Sequence, residues 1–85
     1  MKKTIAILGS TGSIGKNTYN IIKNNKNDFD VILLSTNKNI NTIYKQAKEL
    51  KAKNIIVSSK FHFLKLKQKI KKSKIKIHND LDNLQ

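Results

Sequence analysis

The chain is 85 residues long with a formal net charge of +13, so it holds at most one small domain, whose core buries only about 60% of the unfolded surface. It contains no cysteine, which excludes a disulfide framework, a thiolate metal site and a cysteine nucleophile, and reads as intracellular. All 18 basic residues are lysine; without arginine, whose planar fork grips phosphates and reads guanine edges, the charge fits an AT-rich coding sequence better than a dedicated nucleic-acid binder.

Met1-Lys2-Lys3 resembles the start of a signal peptide, but the apolar run from Ile5 to Leu8 is too short for one and meets a glycine turn. Neither export nor a membrane span is expected, which places the chain in the cytoplasm. Thr4-Ile5-Ala6-Ile7-Leu8 suits a strand buried on both faces of a parallel sheet. From Ser13 the spacing turns helical, with Ile14, Thr18, Ile21 and Ile22 on one face, and fades in the asparagine-rich stretch 24–28. A second strand follows over Asp30–Ser35, then a polar loop, Thr36-Asn37-Lys38-Asn39.

Ile40, Ile43, Tyr44, Ala47 and Leu50 share a face of the next helix, with Lys45, Lys48, Glu49 and Lys51 largely opposite. Asn54–Ser58 supplies a third strand. Residues 61–72 read as a third helix with Phe63, Leu66 and Ile70 inward, and the alternation Lys74-Ile75-Lys76-Ile77-His78 reads as a short edge strand, where charge discourages unwanted pairing. Asn79 to Gln85 has little pattern beyond Leu81 and Leu84. The order βαβαβαβ predicts an α/β fold, a Rossmann-like parallel sheet with right-handed crossovers. Residues 1–85 are expected to form a single unit, truncated short of a complete domain.

Gly9-Ser10-Thr11-Gly12-Ser13-Ile14-Gly15 stands where the first strand gives way to the first helix. There Gly9 suits a tight turn, Gly12 a close approach of main chain to a pyrophosphate, and Gly15 close packing of helix on strands. The unpaired amides of the first helical turn and the positive end of its dipole favour phosphate, and Ser10, Thr11 and Ser13 add hydroxyl donors. The spacing G-x-x-G-x-x-G has one residue more than the usual dinucleotide fingerprint, and the plainer reading is a tight turn alone. Lys16 is followed by Asn17, which fits a triphosphatase P-loop poorly.

The second strand ends with no acid to take a ribose 2'-hydroxyl. Lys38 would instead attract a 2'-phosphate, with Asn37 or Asn39 as hydrogen-bond partners, so NADPH is expected over NADH. For Lys38 alone, the plainer reading is a solvated loop lysine. The five acids, Asp28, Asp30, Glu49, Asp80 and Asp82, form no evident metal cluster, with Asp80 and Asp82 read as solvated tail residues. His62 and His78 read as surface or helix-flank residues.

Ala6 to Gly15, with its run GSTGSIG, resembles the opening of 1-deoxy-D-xylulose 5-phosphate reductoisomerases. Lys38-Asn39-Ile40 resembles that family's Gly-Lys-Asn loop, and Tyr44-Lys45-Gln46-Ala47 is a looser match. The resemblance implies that Thr11, Gly12, Ser13 and Ile14 meet the pyrophosphate side of NADPH, and that Asn37, Lys38 and Asn39 meet its adenosine phosphate. Asn37 replaces the family's glycine; asparagine tolerates positive φ, so the loop path is expected to survive with a side chain added.

The family converts 1-deoxy-D-xylulose 5-phosphate to 2-C-methyl-D-erythritol 4-phosphate in non-mevalonate isoprenoid precursor synthesis, with NADPH and Mg2+ or Mn2+, and is homodimeric. Its metal ligands, catalytic residues and carboxy-terminal helical domain fall beyond position 85, so this chain alone is expected to bind cofactor without catalysis. The alternatives are a stand-alone nucleotide- or RNA-binding basic module and a fragment of another NADP-dependent reductase, such as a semialdehyde dehydrogenase or an extended short-chain reductase.

Overall fold

The computed structural model describes residues 2–71 and 73–80. The elements follow as β1 (Lys3–Ile7), α1 (Ser13–Lys23), a 3-10 turn (Lys26–Asp28), β2 (Phe29–Thr36), α2 (Ile40–Leu50), β3 (Asn54–Val57), α3 (Lys60–Lys69) and β4 (Lys76–His78). This is the expected alternation. The third helix stops at Lys69 rather than at 72, and the last strand is shorter than its alternating sequence. Leu81, Asp82 and Leu84 lie outside the described residues.

The four strands are parallel and stand in the order β1-β2-β3-β4. Each crossover therefore steps the same way, and right-handed connections lay all three helices on one face of the sheet. One core results. Ile7, Val31, Leu34, Ile55 and Val57 from the strands meet Ile22 of α1, Ile40, Ile43, Ala47 and Leu50 of α2, and Leu66 of α3. Leu34, Ile43, Ile55 and Val57 at its centre are wholly inaccessible.

Two expectations give way to this arrangement. The first strand is not buried on both faces: Thr4 and Ala6 are exposed and Leu8, just beyond it, is 66% exposed, because no described helix covers that side. The expected stripe on α1 is also displaced. Ile22 is buried, but Ile14 and Ile21 are exposed, and the inward line runs through Gly15, Tyr19 and Ile22, at i, i+4 and i+7.

Pairing of β1 with β2 shifts register between Ile5 and Ala6, so that Ile5 faces Val31 while Ala6 faces Leu33 and Ile32 is the extra residue. The helix α2 ends on Lys51 at φ 55°, in the left-handed region. The Ala52 amide donates to Ala47 O at 2.9 Å and the Lys51 amide to Lys48 O at 3.4 Å, a Schellman closure with buried Ala47 and Ala52 beneath it. Lys26 of the 3-10 turn bonds Glu49 of α2 at 3.0 Å; this bond and the charge behind it hold the Glu49 carboxyl below its ordinary pKa.

Candidate cofactor site

The site is built where β1 and β2 end. Gly9 adopts φ +67°, reversing the chain as it leaves β1. Its carbonyl accepts from the Gly12 amide at 3.0 Å, and Gly12 in turn is the residue before α1. At Gly15 a Cβ would fall 2.0 Å from the Gly9 carbonyl oxygen, so only glycine lets the first turn of α1 lie against the loop. At Gly12 the nearest atom to such a Cβ is 3.5 Å away, and the residue is exposed. The turn and packing roles expected of Gly9 and Gly15 are thus present in the backbone, and Gly12 is left facing outward.

The loop is tied down from both sides. From β2, the Ser35 hydroxyl accepts from the Gly9 amide and the Ser35 carbonyl from the Ser10 amide, both at 2.9 Å. From α2, the Gln46 side-chain amide donates to the Ser10 carbonyl at 2.9 Å. Gln46 went unnoticed in the sequence as a site residue, although its place between Ile43 and Leu50 puts it on the buried stripe of α2; it is 4% exposed.

Two of the three hydroxyls expected to face a ligand, those of Ser10 and Thr11, point elsewhere. Ser10 is completely buried, and its hydroxyl has no hydrogen-bond partner. The Thr11 hydroxyl lies 2.7 Å from that of Thr36, and the Asn39 side-chain amide donates to it at 3.3 Å. Thr11 thereby joins the glycine loop to the 36–39 loop. Ser13 and Ile14 remain on the outside, with Ile14 83% exposed, beside a shallow groove lined also by Leu8, Gly9, Gly12 and Thr18.

Asn37, Lys38 and Asn39 are all exposed at the carboxyl end of β2. Asn37 does not use the left-handed conformation that a glycine there would permit, since Lys51 is the only non-glycine residue with positive φ among those described. Its side chain instead accepts from the Ser58 hydroxyl at 2.9 Å, and its carbonyl from the Ser59 amide at 3.1 Å, fastening the loop to the end of β3.

Three helices begin at this end of the sheet; α1 and α2 share an uncapped start, and α3 does not. On α3, Ser59 accepts from the His62 amide at 3.5 Å and lies 2.8 Å from His62 Nδ1, so its start is satisfied internally and His62 is a helix-flank residue. On α1, no side chain caps the amino terminus and no acid stands in the first turn. Its unpaired amides and dipole are free to meet an anion.

Among the described residues, no group of three His, Asp or Glu side chains stands close enough to hold a metal ion. Nor is any helix long and apolar enough to cross a membrane. A further hollow, bordered by Lys48, Lys51, Lys53, Lys74 and Lys76, lies at the opposite, amino end of β3 and β4. Parallel α/β sheets bind ligands at their carboxyl ends, which favours the glycine turn.

A sequence model of the 1-deoxy-D-xylulose 5-phosphate reductoisomerase family matches residues 5–85. The chain is 43% identical over 82 residues to such a reductoisomerase of Pelagibacter ubique strain HTCC1062, covering 96% of this chain and 21% of the relative. It is 46% identical over 66 residues to that of Porphyromonas gingivalis, covering 75% and 17%. Among solved structures, the Zymomonas mobilis reductoisomerase in complex with NADPH superimposes with a TM-score of 0.86 at 29% identity, covering 92% of this chain and 21% of that one. A reductoisomerase in complex with NADPH, fosmidomycin and magnesium gives 0.85 at 27% identity, covering 96% and 20%. The chain spans about a fifth of the length of the curated relatives it matches.

Proposed function

Because this chain belongs to the 1-deoxy-D-xylulose 5-phosphate reductoisomerase family, we propose that residues 1–85 form the NADPH-binding front of such an enzyme, an incomplete Rossmann-like domain without the catalytic portion. The supporting observation is the Thr11–Thr36–Asn39 hydrogen-bonded link. It holds an uncapped helix start and an exposed lysine loop side by side at one end of the sheet, as a molecule with a pyrophosphate and a separate 2'-phosphate requires.

In this reading the outward main chain of Gly12, Ser13 and Ile14 meets the pyrophosphate, with Gly9 and Gly15 shaping the turn. Ser10 and Thr11 brace it from within. Asn37, Lys38 and Asn39 surround the adenosine 2'-phosphate, where the absence of an acid removes the repulsion that would select NADH. NADPH supplies a hydride when bound; the chain's own residues bind and orient it.

The whole protein is proposed to rearrange and reduce 1-deoxy-D-xylulose 5-phosphate to 2-C-methyl-D-erythritol 4-phosphate, as a cytoplasmic homodimer. The divalent metal of that reaction finds no ligand set among the residues described here, so no step of it is assigned to this chain.

Titration of the folded chain with NADPH and NADH at moderate salt tests the reading. NADPH should bind at least about tenfold more tightly, and Lys38→Ala should remove most of that preference, about 1.4 kcal/mol. Equal affinity for the two dinucleotides, or none for either, would sink it.

A further inference from the structure

Gln46 is a polar side chain at a position where α2 otherwise presents Ile43, Ala47 and Leu50 to the core. Its amide nitrogen reaches across 36 positions of sequence to the Ser10 carbonyl, while its own carbonyl oxygen Oε1 is buried without a partner. A leucine or methionine would fill similar space and remove that orphaned oxygen, but would leave the buried Ser10 carbonyl without its donor. What the glutamine adds is direction.

The Ser10 carbonyl and the Thr11 N–H belong to one planar peptide group, and in a trans peptide they point opposite ways. Drawing the carbonyl inward to Gln46 turns the Thr11 N–H away from α2. The other side of Ser10 is fixed too, since its own N–H donates to Ser35 O. With both flanking peptides held, the chain enters Gly12 and the start of α1 along one path.

Resting on the dinucleotide reading of this site, we propose that Gln46 is a positioning residue for cofactor binding: from the middle of α2 it orients the Ser10–Thr11 peptide and so aligns the phosphate-facing main chain of the glycine turn. It touches no ligand itself. Its effect should therefore fall on the pyrophosphate side of the cofactor and largely spare the 36–39 loop, which, besides its link to the Thr11 hydroxyl, is held by Thr36, Ser58 and Ser59.

The test uses the chain with Gln46→Met, and Gln46→Leu as a second variant, both checked by circular dichroism and thermal melting. NADPH reports on both loops; adenosine 2'-monophosphate, which lacks the pyrophosphate, reports on the 36–39 loop alone. The expected result is a melting temperature within about 5 °C of the parent's, since one orphaned acceptor replaces another, NADPH affinity reduced about tenfold, and binding of adenosine 2'-monophosphate changed less than twofold. In the ligand-free variants, amide hydrogen exchange at Ser10 and Gly12, whose N–H groups are bonded to Ser35 O and Gly9 O, should rise at least tenfold, with β3 unchanged.

Loss of affinity for both ligands alike, unchanged NADPH affinity, or unfolding of both variants would each overturn the proposal. If the parent chain binds no NADPH, the dinucleotide reading fails separately. The exchange measurement then still decides on Gln46: unaltered exchange at Ser10 and Gly12 overturns its role, and selective loosening upholds it as the residue that orients the turn.

Discussion

Each of the three glycines answers to a different constraint, and alanine substitution separates them. At Gly15 the added methyl would sit 2.0 Å from the Gly9 oxygen, so Gly15→Ala must push α1 off the loop and should cost about 3 kcal/mol. At Gly9 there is space but the wrong φ, and Gly9→Ala should cost about 1–2 kcal/mol. Gly12→Ala meets neither obstacle. Its stability should change by less than about 1 kcal/mol, while NADPH affinity drops because the methyl projects where the ligand backbone must approach. Urea unfolding and NADPH titration of the three variants check the ordering; equal losses of stability would contradict it.

The same residues show what the sequence could convey. The turn role of Gly9 and the packing role of Gly15 were legible because their spacing and their place between strand and helix each carry a physical meaning. The inward turn of Ser10 and Thr11 was not legible. A hydroxyl next to a glycine turn has the same letter whether it faces ligand or core, and only the approach of Thr36 and Gln46, some 25 and 36 positions away, decides the matter.

At the scale of elements, α2 was read nearly whole, since Ile40, Ile43, Ala47 and Leu50 make a dense stripe. For α1 the reading slipped by one face. Its contact line begins at Gly15, which has no side chain and is invisible to hydrophobic periodicity, whereas Ile14 and Ile21 count fully while lying on the surface. The register shift at Ile5 and Ala6 also left no mark, because Val31-Ile32-Leu33-Leu34 is apolar at every position. The end of α2 carries a prediction of its own. Lys51 closes the Schellman motif at φ 55°, a conformation that penalises a Cβ, so Lys51→Gly should stabilise the chain by about 1 kcal/mol, measured as a shift in urea midpoint. No gain would mean that the lysine stem offsets the strain.

For the molecule as a whole, acid should loosen the sheet at its β4 edge. His78 on β4 donates from Nε2 to the Asn54 side-chain oxygen on β3 at 3.0 Å. Burial chiefly, then the charges of Lys76 and Lys67, hold its pKa below the ordinary 6.5, and Asp80 opposes them. Protons therefore prefer the unfolded chain. The stabilisation is complete above pH 6.5 and declines as the pH falls from there toward the lower folded value. The urea midpoint should fall across that window, and His78→Asn should flatten the slope; an unchanged slope would locate the acid sensitivity elsewhere.

The strand order β1-β2-β3-β4 also bears on how the chain is assembled. Every strand pairs with the strand made immediately before it, so no early strand has to wait for a late one to be inserted beside it. Loop closure is needed only across one intervening helix at a time, which keeps the entropic barrier low and the sequence separation of contacts short. A chain emerging from the ribosome could add β2 with α1, then β3 with α2, then β4 with α3, in the order of synthesis. The glycine turn, which draws on β1, β2 and α2, and its partner loop, which draws also on the end of β3, would then be in place before α3 has to dock.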